Sequence, residues 1–321
     1  MTNDTLTLSR FSEFPIFTKL TLEDKPAYDR FISRFPPVDD ISFTSLMSWW
    51  NSFGNISVSR HGNNLVVPYW IPGVESASGM SVVGTDHVDQ TLCAVMDHLR
   101  ERGEPVRLVQ VSDFTVAALH HPEIFHITPM PEFDEYVVPS DHLTDPSKFT
   151  EPRRSRTAST DKRLTGRTVE IRPFDLTSGS DRELISQALR QWSRDAKGNE
   201  FSTYSDQNIR TLMEHGDSIG IRSLSLFVDG KLQAFVFFYL SNGGANVNIQ
   251  NLRTSSDYPH MFDYAAYRFA KELAEEGVMF FNVVCDFGLQ PLRALKLSLQ
   301  PSHYYRKFLI EPAAGSPGVL R

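Results

Sequence analysis

The chain has 321 residues, of which 40% are apolar and 22% charged, so it is long enough for two ordinary domains with sizeable cores. It has neither a run of about 18 apolar residues, as a membrane helix requires, nor a basic, apolar start, so we expect no integral membrane segment and no secretory signal. The net charge of −7 argues against DNA as a partner, and Cys93 and Cys285 sit in apolar patterns that indicate buried free thiols in a reducing cytoplasm.

The first half of the chain alternates helix and strand patterns. Thr21-Leu22-Glu23-Asp24 resembles a capping box, and Pro36-Pro37 ends the helix that follows it. His61-Gly62-Asn63-Asn64 is typical of a hairpin turn. Together these patterns predict helices at about 21–35, 43–50, 88–102 and 114–120, and strands at 56–60, 65–71, 81–83, 107–111 and 133–138.

A basic segment follows at residues 148–167. It holds seven Lys or Arg residues against two acids, a local charge of +5 in an acidic chain. Such a segment can hold phosphate groups electrostatically, and it can equally be a solvated linker or helix face. The candidate phosphate-binding side chains are Lys148, Arg153, Arg154 and Arg156.

The second half repeats the alternation of the first. Asp229-Gly230 between two apolar runs is the strongest hairpin signal in the chain. The pattern predicts helices at 181–194, 209–214 and 261–276, and strands at 169–171, 221–228, 232–240, 245–251, 278–284 and 304–310. We therefore expect two domains, at 15–138 and 168–311, joined by a basic linker or helix at 139–167 and followed by a disordered tail at 312–321.

The most informative segment begins where the apolar strand 278–284 ends. Asp286 follows that strand, Gly288 makes a turn, and a short helix then carries Arg293 and Lys296 three positions apart, on one helix face. Open α/β sheets bind ligands at the carboxyl ends of their strands. The spacing therefore predicts that one acid and two cations converge on a cleft, although an ion pair that only ties the turn together would give the same pattern.

These residues resemble the D-x-G-x-x-x-L-R-x-x-K-x-S-x-x-P signature of the DUF2156 family, the C-terminal domain of lysylphosphatidylglycerol synthases. The stretches 41–49, 134–137 and 227–235, together with Trp192, are also similar to family patterns. The order of elements in each half is that of the Gcn5-related N-acetyltransferase fold. The resemblance implies two such α/β (α+β) domains in tandem, with mixed and largely antiparallel sheets.

The resemblance also implies an enzyme, an acyltransferase that passes an aminoacyl group from an aminoacyl-tRNA to a lipid head group or a small molecule. Asp286 would orient the acceptor or the α-amino group of the donor, and Arg293 and Lys296 would hold phosphate, carboxylate or oxyanion. We expect Gly288, Trp192, Arg253 and Tyr258 to contact substrate, although a tryptophan in this position is more often a core residue and ordinary packing explains Tyr258 as well. The basic segment would hold the tRNA.

The chain departs from the family pattern at two places. Arg253 stands where the family has a lysine, and Asp145 or Pro146 where it has a glycine. Residues 253–262 contain no glycine to cradle a pyrophosphate, so we expect no coenzyme A, and the scattered histidines indicate no metal. Two alternatives stay open: acyl transfer from a thioester donor without tRNA, and a non-catalytic binding protein on the same fold.

Overall fold

The computed structural model describes residues 8–49, 56–69, 78–195 and 200–313. Its contacts divide the chain into two compact units. The first consists of Met1–Glu135, Cys285–Gly288 and Tyr305–Arg321, and the second of Tyr136–Val284 and Leu289–Tyr304. Of the predicted tail, residues 314–321 lie outside the described residues, as do Trp50 and residues 70 and 71 of the predicted elements.

The first unit is a seven-stranded sheet with helices. Its strands are β1 (Thr18–Lys19), β2 (Ser57–His61), β3 (Asn64–Tyr69), β4 (Gly79–Val83), β5 (Leu108–Ser112), β6 (Phe125–Pro129) and β14 (Lys307–Pro312), in the order β1-β2-β3-β4-β5-β14-β6. Its helices are α1 (Lys25–Ile32), α2 (Phe43–Ser48), α3 (Val88–Glu101) and α4 (Asp113–Val116). Strand β4 pairs with β5 in parallel, and the apolar face of α3 packs on the sheet around Val66, Val82 and Leu108.

The second unit is built in the same way. Its strands are β7 (Glu135–Pro139), β8 (Val169–Arg172), β9 (Arg222–Val228), β10 (Lys231–Ser241), β11 (Asn246–Thr254), β12 (Phe280–Asn282) and β13 (His303–Tyr305), in the order β13-β7-β12-β11-β10-β9-β8. Its helices are α5 (Ser140–Thr144), α6 (Glu151–Leu164), α7 (Gly179–Asp195), α8 (Glu200–Ile219), α9 (Met261–Glu275) and α10 (Gln290–Ser298). Each sheet thus combines an antiparallel meander with one parallel pair that follows a long helix. This is a tandem acetyltransferase-like α/β fold, as the sequence predicted.

Several predicted elements have different bounds in the structure. The predicted linker 139–167 contains two helices, α5 and α6, and the predicted helix 209–214 lies within the twenty-residue α8. The predicted strand 278–284 is reduced to β12, and the predicted strand 304–310 is split into β13 and β14.

Each sheet includes one strand from the other half of the sequence. Strand β7 pairs with β12, with Phe281 opposite Val138, and so belongs to the second sheet. Strand β14 pairs with β5 and β6, with Ile310 opposite Leu108 and Ile127, and so belongs to the first sheet. These pairings join distant parts of the chain, which a local pattern does not reveal. The predicted domain bounds followed sequence continuity instead.

Candidate functional site

The candidate site lies where the parallel strands β11 and β12 part. Their pairing runs from Asn246 opposite Phe280 to Asn248 opposite Asn282. Strand β12 ends there, whereas β11 continues to Thr254. Asn248 and Asn282 are both fully buried, so two amide side chains meet the end of the parallel pairing. The carboxyl ends of parallel strands are where α/β sheets hold ligands.

The chain after β12 is strained. Val284 has a φ of 53°, in the left-handed region that β-branched side chains strongly disfavour. Its N–H donates to Asn282 Oδ1 at 2.9 Å, and its carbonyl accepts from Lys296 Nζ at 2.9 Å. Two side chains therefore hold the strained peptide in place. Left-handed residues that the surroundings enforce in this way are concentrated at functional sites.

A second strained turn follows. Phe287 also has a φ of 53°, and Gly288 has a φ of 74°. The N–H of Phe287 donates to the carbonyl of Glu132 at 2.9 Å. Asp286 is fully buried, and its Oδ1 accepts the N–H of Gly288 at 2.8 Å. This carboxylate oxygen therefore ties its own turn through a backbone hydrogen bond.

The two predicted cations lie on α10. Lys296 is 6% exposed, donates to the carbonyl of Val284, and lies 5.8 Å from the ring centroid of Tyr136. Arg293 lies one turn earlier and is half-buried. Asp286 and Gly288 are grouped with the first unit, and Arg293 and Lys296 with the second. The predicted convergence of the acid with both cations stays a prediction, while the observed contact of Lys296 is to backbone.

A strip of polar side chains runs along β11, and the sequence reasoning missed most of it. The polar strip consists of Asn248, Gln250, Asn251 and Arg253. Asn251 lies between two residues of α8: it accepts from Ser205 Oγ at 2.6 Å and donates to Asn208 Oδ1 at 2.5 Å. The signal was present in the sequence, because Asn246, Asn248 and Gln250 alternate with apolar residues on one strand.

Two members of the polar strip keep unused hydrogen-bonding capacity. Asn248 Nδ2 donates to Ser241 Oγ at 2.7 Å, but its buried Oδ1 has no hydrogen-bond partner among the described residues. Arg253 Nη2 donates to Asp206 Oδ1 at 3.1 Å, and its buried Nε likewise has no partner in the part of the chain that the structure describes. Burial lowers the pKa of Arg253 against the opposing charge of Asp206. Buried polar atoms without partners are uncommon in folded proteins, so each one is a candidate contact for a ligand or water.

The other two predicted substrate contacts lie in packed surroundings. Trp192 stacks on Phe235, with ring centroids 5.6 Å apart and planes at 18°. Tyr258 packs against the core between the second sheet and α9. Core packing, the alternative that the sequence left open for both residues, accounts for these contacts.

The basic segment does not present all of its cations to solvent. Arg153 is fully buried: its Nη1 donates to the carbonyl of His142 at 2.7 Å, and its guanidinium lies 3.8 Å from the Phe149 ring centroid. Burial lowers its pKa to about 10. The Arg153 side chain has no exposed surface in the structure, and its predicted contact with tRNA stays a prediction.

The remaining cations of the segment have local partners but are more exposed. Arg156 Nε pairs with Asp263 Oδ2 at 2.6 Å, and Lys148 pairs with Asp141. Arg154 is exposed and donates to the carbonyls of Pro146 and Phe149. Lys162, Arg163 and Arg167 are also exposed. The face of α6 that could meet a polyanion is therefore carried by its exposed residues and not by Arg153.

The described residues contain no helix that combines the length and apolar character needed to span a bilayer. In the same residues no group of three or more His, Cys, Asp or Glu side chains is arranged to hold a metal ion.

Comparison with known proteins gives a family match and several structural likenesses. Residues 37–311 match the model of the family "Phosphatidylglycerol lysyltransferase, C-terminal". A conserved protein of unknown function from Bacteroides thetaiotaomicron superposes with a TM-score of 0.74 at 18% identity, covering 92% of this chain and 99% of that one. No curated protein matches the sequence.

Two further structures share the fold. One is the DUF2156 C-terminal domain of a protein described as a lysylphosphatidylglycerol synthetase, from Agrobacterium fabrum, with a TM-score of 0.58, 15% identity, and coverage of 94% of this chain and 100% of that one. The other is L-PGS from Bacillus licheniformis, with a TM-score of 0.51, 17% identity, and coverage of 82% and 86%. At these identities the likeness concerns the fold.

Proposed function

Because the chain belongs to the phosphatidylglycerol lysyltransferase C-terminal family, and is therefore an acyltransferase of the aminoacyl-transferring kind, we propose that its donor is an aminoacyl-tRNA and its acceptor a lipid head group or small molecule. The observation that carries the proposal is the parting of β11 and β12 at the buried pair Asn248 and Asn282, beside the strained Val284. Asn248 Oδ1, which has no hydrogen-bond partner among the described residues, therefore lies at the end of a parallel strand pair.

Aminoacyl transfer makes modest demands on the protein. The ester of an aminoacyl-tRNA is already activated, so the enzyme has to hold donor and acceptor in line and to stabilise the negative charge that develops on the carbonyl oxygen. In this proposal the polar strip binds the aminoacyl group. Asn248 Oδ1 accepts from an amine or hydroxyl, and Arg253 Nε donates to a carbonyl or carboxylate.

The residues of the sequence motif divide into two roles in this proposal. Lys296 and Asp286 each hold one strained turn between β12 and α10, since Lys296 donates to the carbonyl of Val284 and Asp286 accepts the N–H of Gly288. Arg293, which is half-buried on the same helix as Lys296, supplies the cation for a phosphate or carboxylate. Lys296 and Asp286 therefore act as positioning residues.

The test is a transfer assay with the purified protein. Total tRNA charged with radiolabelled amino acids is supplied together with phosphatidylglycerol vesicles or with a pool of small amines and alcohols, and the label is followed into each acceptor. We expect transfer from charged tRNA, and Arg253→Gln should slow it by about tenfold or more, as loss of a charged hydrogen bond does. Arg190→Gln, which removes an exposed cation of α7, is the matched control.

Other outcomes contradict the proposal in distinguishable ways. Transfer from an acyl thioester but not from charged tRNA would show that the donor is wrong. Retention of charged tRNA without transfer to any acceptor would indicate a binding protein. Equal rates for Arg253→Gln and Arg190→Gln would show that Arg253 of the polar strip takes no part in the reaction.

A further inference from the structure

A second cluster of charged groups lies in the core of the first unit, and the proposed reaction does not use it. Lys307, at the start of β14, has no exposed surface. Its Nζ lies 2.5 Å from Asp40 Oδ1 and 3.3 Å from Glu135 Oε1. A buried ammonium is costly unless it is paired, and here the partners come from distant parts of the chain.

The cluster contains more carboxylates than its one cation can balance. Glu135 Oε2 accepts the N–H of Asp39 at 2.7 Å, and Glu135 Oε1 accepts the N–H of Asp40 at 3.2 Å. The buried carboxylate of Asp39 accepts from Ser45 Oγ at 2.8 Å. Two acids, Asp40 and Glu135, therefore face one lysine, and two carboxylates that share a site cannot both ionise without cost.

Two tyrosines and a further aspartate are titratable groups that also lie around Asp40 and Lys307. Tyr28 of α1 donates to the carbonyl of Ile41 at 2.8 Å, and Tyr69 of β3 donates to the carbonyl of Asp40 at 3.3 Å. Burial raises the pKa of both phenols, and the nearby carboxylates add to the effect. Asp134 accepts the N–H of Lys307 at 2.9 Å, and burial raises its pKa as well.

Asp40 titrates close to neutral pH. Burial raises the pKa of Asp40 to about 7; Lys307 opposes the rise and Glu135 adds to it. Burial alone would lower the pKa of Lys307, but Asp40 and Glu135 outweigh it and raise that pKa. Lys307 thus stays charged through the neutral range, while Asp40 exchanges its proton there.

We propose that Asp40, Glu135 and Lys307 form a buried proton-sharing latch that fastens β14 and the loop around Asp40 to the rest of the first unit, and that this latch is tightest at mildly acidic pH. The contacts of Lys307 support the latch itself, apart from its pH dependence. One buried ammonium of β14 contacts both Asp40, in the loop before α2, and Glu135, so the balance of charge among these three groups affects whether their segments of the first unit stay together.

The direction of the pH effect follows from proton binding. A free aspartate titrates near 3.8, whereas Asp40 in the folded protein titrates near 7. Between these values the folded state binds the extra proton, so stability falls as pH rises. The opening equilibrium of the latch should rise by about tenfold per pH unit in this range and become constant above pH 7.

The experiment is amide hydrogen exchange, corrected for intrinsic rates, on the whole protein between pH 5 and 9. We expect the protection of β14 to fall between pH 5 and 7 relative to that of β9, and to level off above pH 7. In Asp40→Asn, whose side chain has no carboxyl group to titrate, this pH dependence should disappear. Asp134→Asn, which changes the neighbouring acid instead, should retain it.

Two results would overturn the proposal. The first is a pH dependence of β14 protection in Asp40→Asn that is parallel to that of the unchanged protein. The second is equal behaviour of β14 and β9 in the unchanged protein, a comparison that does not require any variant to fold. If the pH dependence is lost in Asp134→Asn but kept in Asp40→Asn, then Asp134 is the titrating group and the latch is rejected. None of these outcomes depends on the transferase reaction.

Discussion

At Val284 the backbone adopts a conformation that its own side chain opposes. A left-handed φ costs an L-residue about 1–2 kcal/mol, and the branched side chain of valine adds crowding. Three groups hold the peptide in place: Asn282 Oδ1 accepts its N–H, and Lys296 Nζ and the Tyr136 N–H donate to its carbonyl. The strain is therefore maintained by a side-chain network, and its release should be measurable.

We predict that glycine at this position relieves the strain. Val284→Gly removes the steric conflict but also loses a half-buried side chain, whereas Val283→Gly loses a similar side chain at a position that is not left-handed. The unfolding free energy of Val284→Gly should exceed that of Val283→Gly by about 1–2 kcal/mol, measured by urea denaturation. Equal values for the two variants would show that Val284 stores no strain.

The sequence revealed the chemistry of the motif but not the exposure of its side chains. An acid after an apolar strand and two cations on one helix face are visible in the residue pattern alone. Whether Asp286 faces a ligand or its own turn depends on the φ angles of Phe287 and Gly288, which the residue types only partly restrict. For the same reason the burial of Arg153 was missed, because a run of cations is typical of a surface helix and one member can still point inward.

Helix α8 contacts β11 through amide and hydroxyl groups. Asn251 is the centre of this packing, since it accepts from Ser205 and donates to Asn208. Arg253 and Asp206 form the adjoining ion pair. A helix attached by a few buried hydrogen bonds is sensitive to the loss of any one of them, because the groups left behind lose their partners.

We predict that Asn251→Ala destabilises the protein by about 1–3 kcal/mol, the usual cost of leaving buried polar groups unpaired. Gln187→Ala removes an exposed amide of α7 that donates to Glu183 on the same helix, and should change stability by less than about 0.5 kcal/mol. Thermal or urea unfolding of both variants checks the difference. If the two are equally stable, the polar contacts between α8 and β11 do not contribute to folding.

Elements with local signals were predicted well, and those defined by distant pairing were not. The Asp229-Gly230 turn joins β9 and β10 as expected, and both residues have positive φ as a tight hairpin requires. Helix α9 keeps nearly its predicted bounds because its apolar face repeats at helical spacing. In contrast, nothing near β7 or β14 in the sequence indicates that each strand completes the sheet of the other half, since that choice depends on packing across the whole chain.

At the scale of the whole molecule, the charge distribution limits how a polyanion could bind. The chain carries −7 overall, yet residues 148–167 carry an excess of cations. The structure removes Arg153 from that surface and leaves Arg154, Lys162, Arg163 and Arg167 exposed on or beside α6. Binding of tRNA at this face would therefore be electrostatic, and it would weaken steeply with salt.

This leads to a prediction for tRNA retention on filters as a function of salt. Lys162→Gln with Arg163→Gln should weaken retention and reduce the slope of log affinity against log salt by about one for each phosphate that the variant no longer neutralises. Arg190→Gln with Lys271→Gln removes the same charge from exposed positions on α7 and α9, and should leave the slope unchanged. If both double variants lower retention equally, net charge and not the α6 face governs binding. If neither does, the proposed donor binds the protein elsewhere or is not a tRNA.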